Sequence, residues 1–189
     1  YYCRNCQASF TAAPSTTPSY PIVDPYGDHA LGCPRSVPYR TIYWHDPLRD
    51  VYALIGRIVG LRTRKEVSGM FPDNSKRPDV VFTSDAGHEI VTDVITCCPV
   101  TMPAATSHKC AHSATTIGAA NAFGITSKNN AWKSSLTDRP HEFHALAHEP
   151  GRISDTANNL LDNLINRLHP NDRPRLRTYC YQLIAATTT

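Results

Sequence analysis

The chain has 189 residues, 41% of them apolar and 19% charged, which is enough for one ordinary domain with a core and a small appendage. No apolar run approaches the ~20 residues of a membrane-spanning helix, so no membrane partner is expected, and Tyr1-Tyr2-Cys3 is not a secretory leader. A net charge of +3 with nine histidines permits nucleic-acid binding without demanding it, and seven unevenly spaced cysteines suit metal binding and free thiols better than a disulfide framework. The chain starts without Met, and is expected to be a piece of a longer protein.

Residues 1–35 are rich in Pro, Ser and Thr and carry little helix signal. Cys3 and Cys6 form one half of a tetrahedral zinc set, and His29 with Cys33 forms the other. Such a Cys₃His knuckle folds only around its metal. The 22 residues between Cys6 and His29 are a long insert for it, and a frayed terminus with incidental thiols is the plain alternative.

A helix is predicted over residues 46–61. Asp46 is a good N-cap, Pro47 fits the first helical position, and Gly60 marks the end. Val51, Leu54, Ile55, Ile58 and Val59 give it one apolar face. His45, just ahead of the cap, either faces a site or lies on the surface. Arg62 to Val67 reads as the first strand, and Phe71 to Ser75 as a loop.

Next comes a β-hairpin. Val80 to Phe82 and Ile90 to Ile95 are the β-branched runs, and Ser84-Asp85-Ala86-Gly87 is the turn. Asp79 stands at the mouth of the first strand and Asp93 inside the second. A charge within an apolar strand is costly unless it is paired or binds a cation. Two aspartates converging on a sheet edge make a hard oxygen site suited to Mg²⁺, and a divalent ion there activates water against a phosphodiester. The plain alternative has Asp79 capping a turn and Asp93 paired with an Arg. Glu66 is a third acid within reach, or a solvated one.

Pro99 must stop the second strand, and residues 100–115 read as an irregular connection. Gly118 to Trp132 is a helix by its alanines, opposed by Gly124 and Asn129-Asn130. Glu142 to His148 is a strand. Ile153 to Leu168 is a strong amphipathic helix with Ser154 and Asp155 near its start, and Arg175 to Ala186 forms a last helix. Arg173, Arg175 and Arg177 make this end basic, either a phosphate-contacting patch or a solvated face. The order of elements predicts an α/β sandwich.

In their order along the chain, these motifs resemble the C-terminal part of non-LTR retrotransposon proteins that carry a restriction-like endonuclease. The resemblance spans nearly the whole chain, and its specificity lies in the order of short motifs. It runs through Cys3, Cys6, His29 and Cys33 as the zinc knuckle, then Glu66, Arg77-Pro78-Asp79 and Asp93, with 13 residues between the last two acids. Phe143 to Arg152, followed by a helix, resembles a late segment of such elements. Trp44-His45-Asp46 departs from the pattern, because a basic residue commonly stands where Trp44 is.

The resemblance implies a zinc-knuckle-like segment at 1–38 and a restriction-endonuclease-like α/β domain at 39–189, with a mixed central sheet flanked by helices, of the PD-(D/E)xK type. That fold normally has a Lys two residues after the second acid, where this chain has Ile95. The retrotransposon branch moves the Lys to a neighbouring helix, which makes Lys128 the candidate and Lys109 the reserve. The implied function is a Mg²⁺- (or Mn²⁺-) dependent DNA endonuclease that nicks target DNA to prime reverse transcription. Asp79 and Asp93 would hold the metal, Glu66 would assist and Lys128 would position the nucleophile. The implied context is nuclear, with target DNA and possibly the element RNA as partners and a reverse transcriptase upstream. Two other readings stay open: a catalytically decayed nucleic-acid-binding module, and a zinc-stabilised interaction domain.

The paired half-sites carry the first prediction. Protein purified without chelator should hold about one zinc per chain, as a closed four-ligand site does. Metal analysis that finds none refutes the knuckle. Cys97, Cys98 and Cys110 should be dispensable for this zinc.

Overall fold

The structure, a computed structural model, describes residues 37–71, 76–97, 116–137 and 140–188. The expected zinc ligands Cys3, Cys6, His29 and Cys33, and the reserve Lys109, lie outside the described residues.

The chain is α/β, with a five-stranded mixed sheet flanked by helices. A short helix α1 (Val37–Arg40) runs through a π-helical turn (Thr41–His45) into α2 (Asp46–Ile58). Strands β1 (Arg62–Lys65), β2 (Val80–Thr83) and β3 (Glu89–Thr96) follow, then α3 (Ala119–Leu136), β4 (Glu142–Glu149), β5 (Arg152–Ile153), α4 (Asp155–Ile165) and α5 (Arg173–Thr188). The strands lie in sequence order. β3 and β4 are parallel, joined by the crossover that holds α3, and every other pair is antiparallel. Among the described residues no helix is long and apolar enough to cross a membrane.

The sheet has two dissimilar faces. Val80, Phe82, Ile90, Val94 and Leu146 join the large core built with α2, α4 and α5, where Leu48, Tyr52, Ile55, Leu161 and Ile184 are fully buried. Side chains alternate along a strand, so Val91, Asp93 and Ile95 of β3 turn the other way. There α3 covers the sheet through a small contact of Ala120 with Cys97 and Ala147. Both layers approach the sheet at a glycine. A Cβ on Gly56 of α2 would lie 2.4 Å from the Phe82 ring, and one on Gly124 of α3 would lie 2.7 Å from Cys97 Sγ. Gly124 lowers the helix propensity of α3, but it lets the helix sit close on β3.

Several elements differ from the sequence expectation for definable reasons. Asp46 is not an N-cap: His45 before it is already helical, and the Asp46 amide donates to Thr41 O, five residues back. Pro47 has no N–H, and its ring would strike the carbonyl four residues earlier. The widened turn just ahead of it lets the helix run through instead of starting there. Ile58 faces outward, 41% exposed, rather than joining the apolar stripe. Ile153 belongs to β5, which turns back on β4 at Pro150-Gly151, so α4 starts later, with Ser154 Oγ accepting the Ala157 N–H at 3.3 Å.

The Gly124 contact gives a stability prediction. On an open helix face Gly→Ala stabilises by about 1 kcal/mol. Here Gly124→Ala should instead cost about 1–3 kcal/mol, the range for overpacking. Urea unfolding that finds the variant as stable as the parent would show that the α3–β3 contact is not tight.

Candidate active site

The β2–β3 register pairs Val80 with Thr92. One step further along, Asp79 falls opposite Asp93, and directly opposed residues share a face. The ladder opens here. The Asp79 N–H donates to Thr92 O at 3.1 Å, and Asp79 Oδ2 accepts the Val94 N–H at 2.7 Å. A side-chain oxygen thus satisfies an amide of the opened ladder. The two carboxyls come within hydrogen-bonding contact of each other. Both residues are buried, Asp79 9% exposed and Asp93 5%.

Each acid has its own cation. His45, carried by the π turn, sets Nε2 3.2 Å from Asp79 Oδ2, and its Nδ1 lies 3.1 Å from Asp46 Oδ1. Lys128 of α3 places Nζ 2.8 Å from Asp93 Oδ2. Four residues on, Trp132 donates its indole N–H to the same oxygen at 2.6 Å. Residues four apart share a helix face, so one stripe of α3 supplies both partners. Trp132 is fixed by Phe71 and Phe143, with ring centres 5.4 and 5.3 Å away. Lys76 lies over its ring and bonds Ser135 Oγ at 3.1 Å.

The electrostatics are asymmetric. The hydrogen bond with Asp79 lifts His45 to about 9 against the pull of burial, so it is an imidazolium at neutral pH. Burial works to raise Asp79, but His45, the contact with Asp93 and the Val94 N–H together bring it below the usual carboxylate range. Asp93 goes the other way, to about 6: burial and the neighbouring Asp79 outweigh Lys128. A pair of carboxylates forced together splits in this way.

Glu66 sits elsewhere. Its amide donates to Asp79 O at 3.0 Å, but its backbone turns into the left-handed region at φ 48°, and the carboxylate meets Arg49 Nη1 at 2.5 Å and Arg77 Nη2 at 3.4 Å. Arg49 also holds Asp46 at 3.0 Å. Glu66 therefore anchors the rim of the site rather than joining the aspartate pair. The basic residues at the C-terminal end lie in the helical layer on the other side of the sheet from α3. Arg173 donates to Leu168 O at 3.0 Å and Asn166 O at 2.9 Å, closing the end of α4. Arg177 pairs with Asp162 at 2.9 Å. Arg175 lines an open groove with Ile58 and Tyr179.

The donor set fits a small hard cation. The His45, Val94, Lys128 and Trp132 bonds all fall on Oδ2 atoms. Among the described residues no three His, Cys, Asp or Glu side chains converge as a cage. What the chain offers is a two-carboxylate site, the kind Mg²⁺ accepts because it keeps several of its waters. Trp132 and Arg49 carry no signal in the sequence that marks them as neighbours of the acids. His45 adjoins the site, and Lys128 is in reach only because α3 lies close on β3.

His45 supplies a pH prediction for the metal-free protein. Its folded pKa, about 9, exceeds the ordinary 6.5. Its contribution is therefore complete below about 6.5 and is lost as pH rises through about 9. In chelator, the melting temperature of the parent should fall across that window, and His45→Gln should flatten the fall. Parallel profiles for the two proteins would refute the ion pair. Compared with known proteins, the sequence matches no protein-family model and no curated protein.

Proposed function

We propose that the chain carries a metal-dependent DNA endonuclease domain of the PD-(D/E)xK kind, belonging to a non-LTR retroelement, which nicks target DNA so that the exposed 3′-hydroxyl primes reverse transcription. The observation that supports this most is the Lys128 ammonium 2.8 Å from Asp93, on a helix and not on the strand, with Asp79 in contact beside it. Two carboxylates and one ammonium suit one way to hydrolyse a phosphodiester, through a metal ion and a fixed positive charge. Asp79 and Asp93 would hold Mg²⁺ or Mn²⁺, which when bound would supply a Lewis acid for the phosphate and lower the pKa of water. Lys128 orients the attacking water or stabilises charge on the phosphate in the transition state. His45 keeps Asp79 ionised and oriented. Glu66 acts through Arg49 and Arg77, which frame the rim. Zinc in the knuckle over residues 1–38, a grip on element RNA, an upstream reverse transcriptase and a nuclear setting belong to the same proposal.

One observation favours the rival reading, a catalytically decayed nucleic-acid-binding module. Trp44, at the place of the family's basic residue, is buried in the core, so no cation is offered there.

Nicking of supercoiled plasmid separates the two. The parent should nick with Mg²⁺ and not with chelator. Asp93→Asn should abolish nicking, and Lys128→Met should slow it by about 10²–10³-fold, the loss typical of one transition-state donor, both with DNA binding retained. DNA binding by the parent without nicking in either Mg²⁺ or Mn²⁺ would favour the module instead.

A further inference from the structure

Two donors of α3 meet one oxygen of Asp93, and they are unlike. Trp132 Nε1 lies 2.6 Å from Oδ2, and Lys128 Nζ lies 2.8 Å from the same atom. The indole is buried, 4% exposed. Phe71 meets its ring edge-on, with 68° between the planes, and Phe143 lies nearer to parallel, at 30°. Phe71 is fully buried and stands edge-on to His141 in turn. Lys76 Nζ lies 5.8 Å from the indole centre and donates to Ala131 O and Ser135 Oγ of the same helix. On β4, Ala145 stands beside Asp93, and Phe143 comes two residues before it, so all three share one face of the sheet. The small side chain at Ala145 leaves the indole room to reach the carboxylate. Lys128 is held differently. Its side chain is 38% exposed, a flexible four-carbon stem with a charged head.

A buried indole N–H usually finds an acceptor, and that alone would give Trp132 a packing role. The choice of acceptor says more. Mg²⁺ tolerates little departure from octahedral geometry, so a carboxylate that holds it gains from being fixed in its plane. A hydrogen bond to the oxygen that does not meet the metal fixes that plane. Both α3 donors fall on Oδ2, so neither stands on Oδ1. The two donors differ in how they meet a second cation. An ammonium and a metal ion repel each other across a shared carboxylate. The indole is neutral and only donates, so it keeps its bond when a cation arrives.

We infer that Trp132 is a positioning residue: its N–H holds Asp93 by Oδ2, leaves Oδ1 for the cation, and goes on holding it when Lys128 turns from Oδ2 to the phosphate. This rests on the metal-dependent reading of the acid pair, and it divides one task in that reading between a fixed donor and a movable one. The fixed donor is the one packed between two aromatic rings, and the movable one reaches solvent.

The test measures free Mn²⁺ by electron paramagnetic resonance as it is added to the full chain, below the melting temperature of every variant. The parent should bind Mn²⁺ at a site that Asp93→Asn removes. Trp132→Phe should bind it about 10–100-fold more weakly, the loss typical of a group that orients a metal ligand. Lys128→Met should bind it as tightly as the parent or more tightly, because a repelling charge is gone. Replacing the indole of Trp132 by benzothiophene, which keeps the ring shape and lacks the N–H, should reproduce the loss. It carries the comparison if Trp132→Phe does not fold. Parental affinity in the benzothiophene protein would reduce Trp132 to packing and overturn the inference. An equal loss in Lys128→Met would also overturn it, by making the ammonium the holder of Asp93. No Mn²⁺ binding by the parent defeats the metal-dependent reading and the inference with it. The full pattern in a chain that never nicks DNA defeats the nuclease reading alone.

Discussion

Two buried carboxylates in contact constrain everything around them. Side by side in a dry strand pair, Asp79 and Asp93 would repel strongly if both were ionised and unaided. The fold answers with two cations from two layers. His45 comes from the helical side and Lys128 from α3 on the opposite face. At neutral pH in the metal-free protein, two negative charges are thus matched by two positive ones. The match is uneven. Asp79 is held low by an imidazolium and a backbone amide, while Asp93 is left near 6 by burial and by its neighbour. Such a split assigns different roles to identical side chains.

Much of the scaffold is legible in the sequence. The hairpin, β4 and most of the apolar stripes of α2 and α4 follow from period and turn chemistry, because the large core rewards strict alternation and helical spacing; the convergence of Asp79 with Asp93 stands in the sequence as one of two readings, beside a turn cap and an Arg pairing. α3 does not read so clearly. Beside Ala120 and Ile125, it turns Asn121, Gly124, Lys128, Trp132 and Ser135 inward, spaced three or four apart. These five follow the helical period, but all except Trp132 are small or polar, so no apolar stripe marks them. Gly124 counts against a helix by propensity, yet it is where the helix touches Cys97. Lys128 follows from the family resemblance and not from spacing.

Glu66 and two of the C-terminal arginines show how neighbours set the course of a charged side chain. Glu66 stands one step beyond β1, its amide on Asp79 O, where a third ligand would be sought. Its left-handed backbone sends the side chain to Arg49 and Arg77 instead. A non-glycine residue in that region carries strain, and two guanidiniums compensate it here. Arg173 and Arg177 read in the sequence as part of either a phosphate-contacting patch or a solvated face; in the fold one closes a helix end and the other pairs with Asp162.

The acids sit where the regular pattern breaks: a π turn before Pro47, a ladder opened at Asp79, a glycine at the helix–sheet contact. Local rules are kept where the core is built and broken around the buried acid pair. Gly124 and Lys128 lie four residues apart on α3, on one helix face. The depth at which α3 rests on Cys97 therefore bears on the reach of Lys128 to Asp93, and a helix lifted at Gly124 would lengthen that reach.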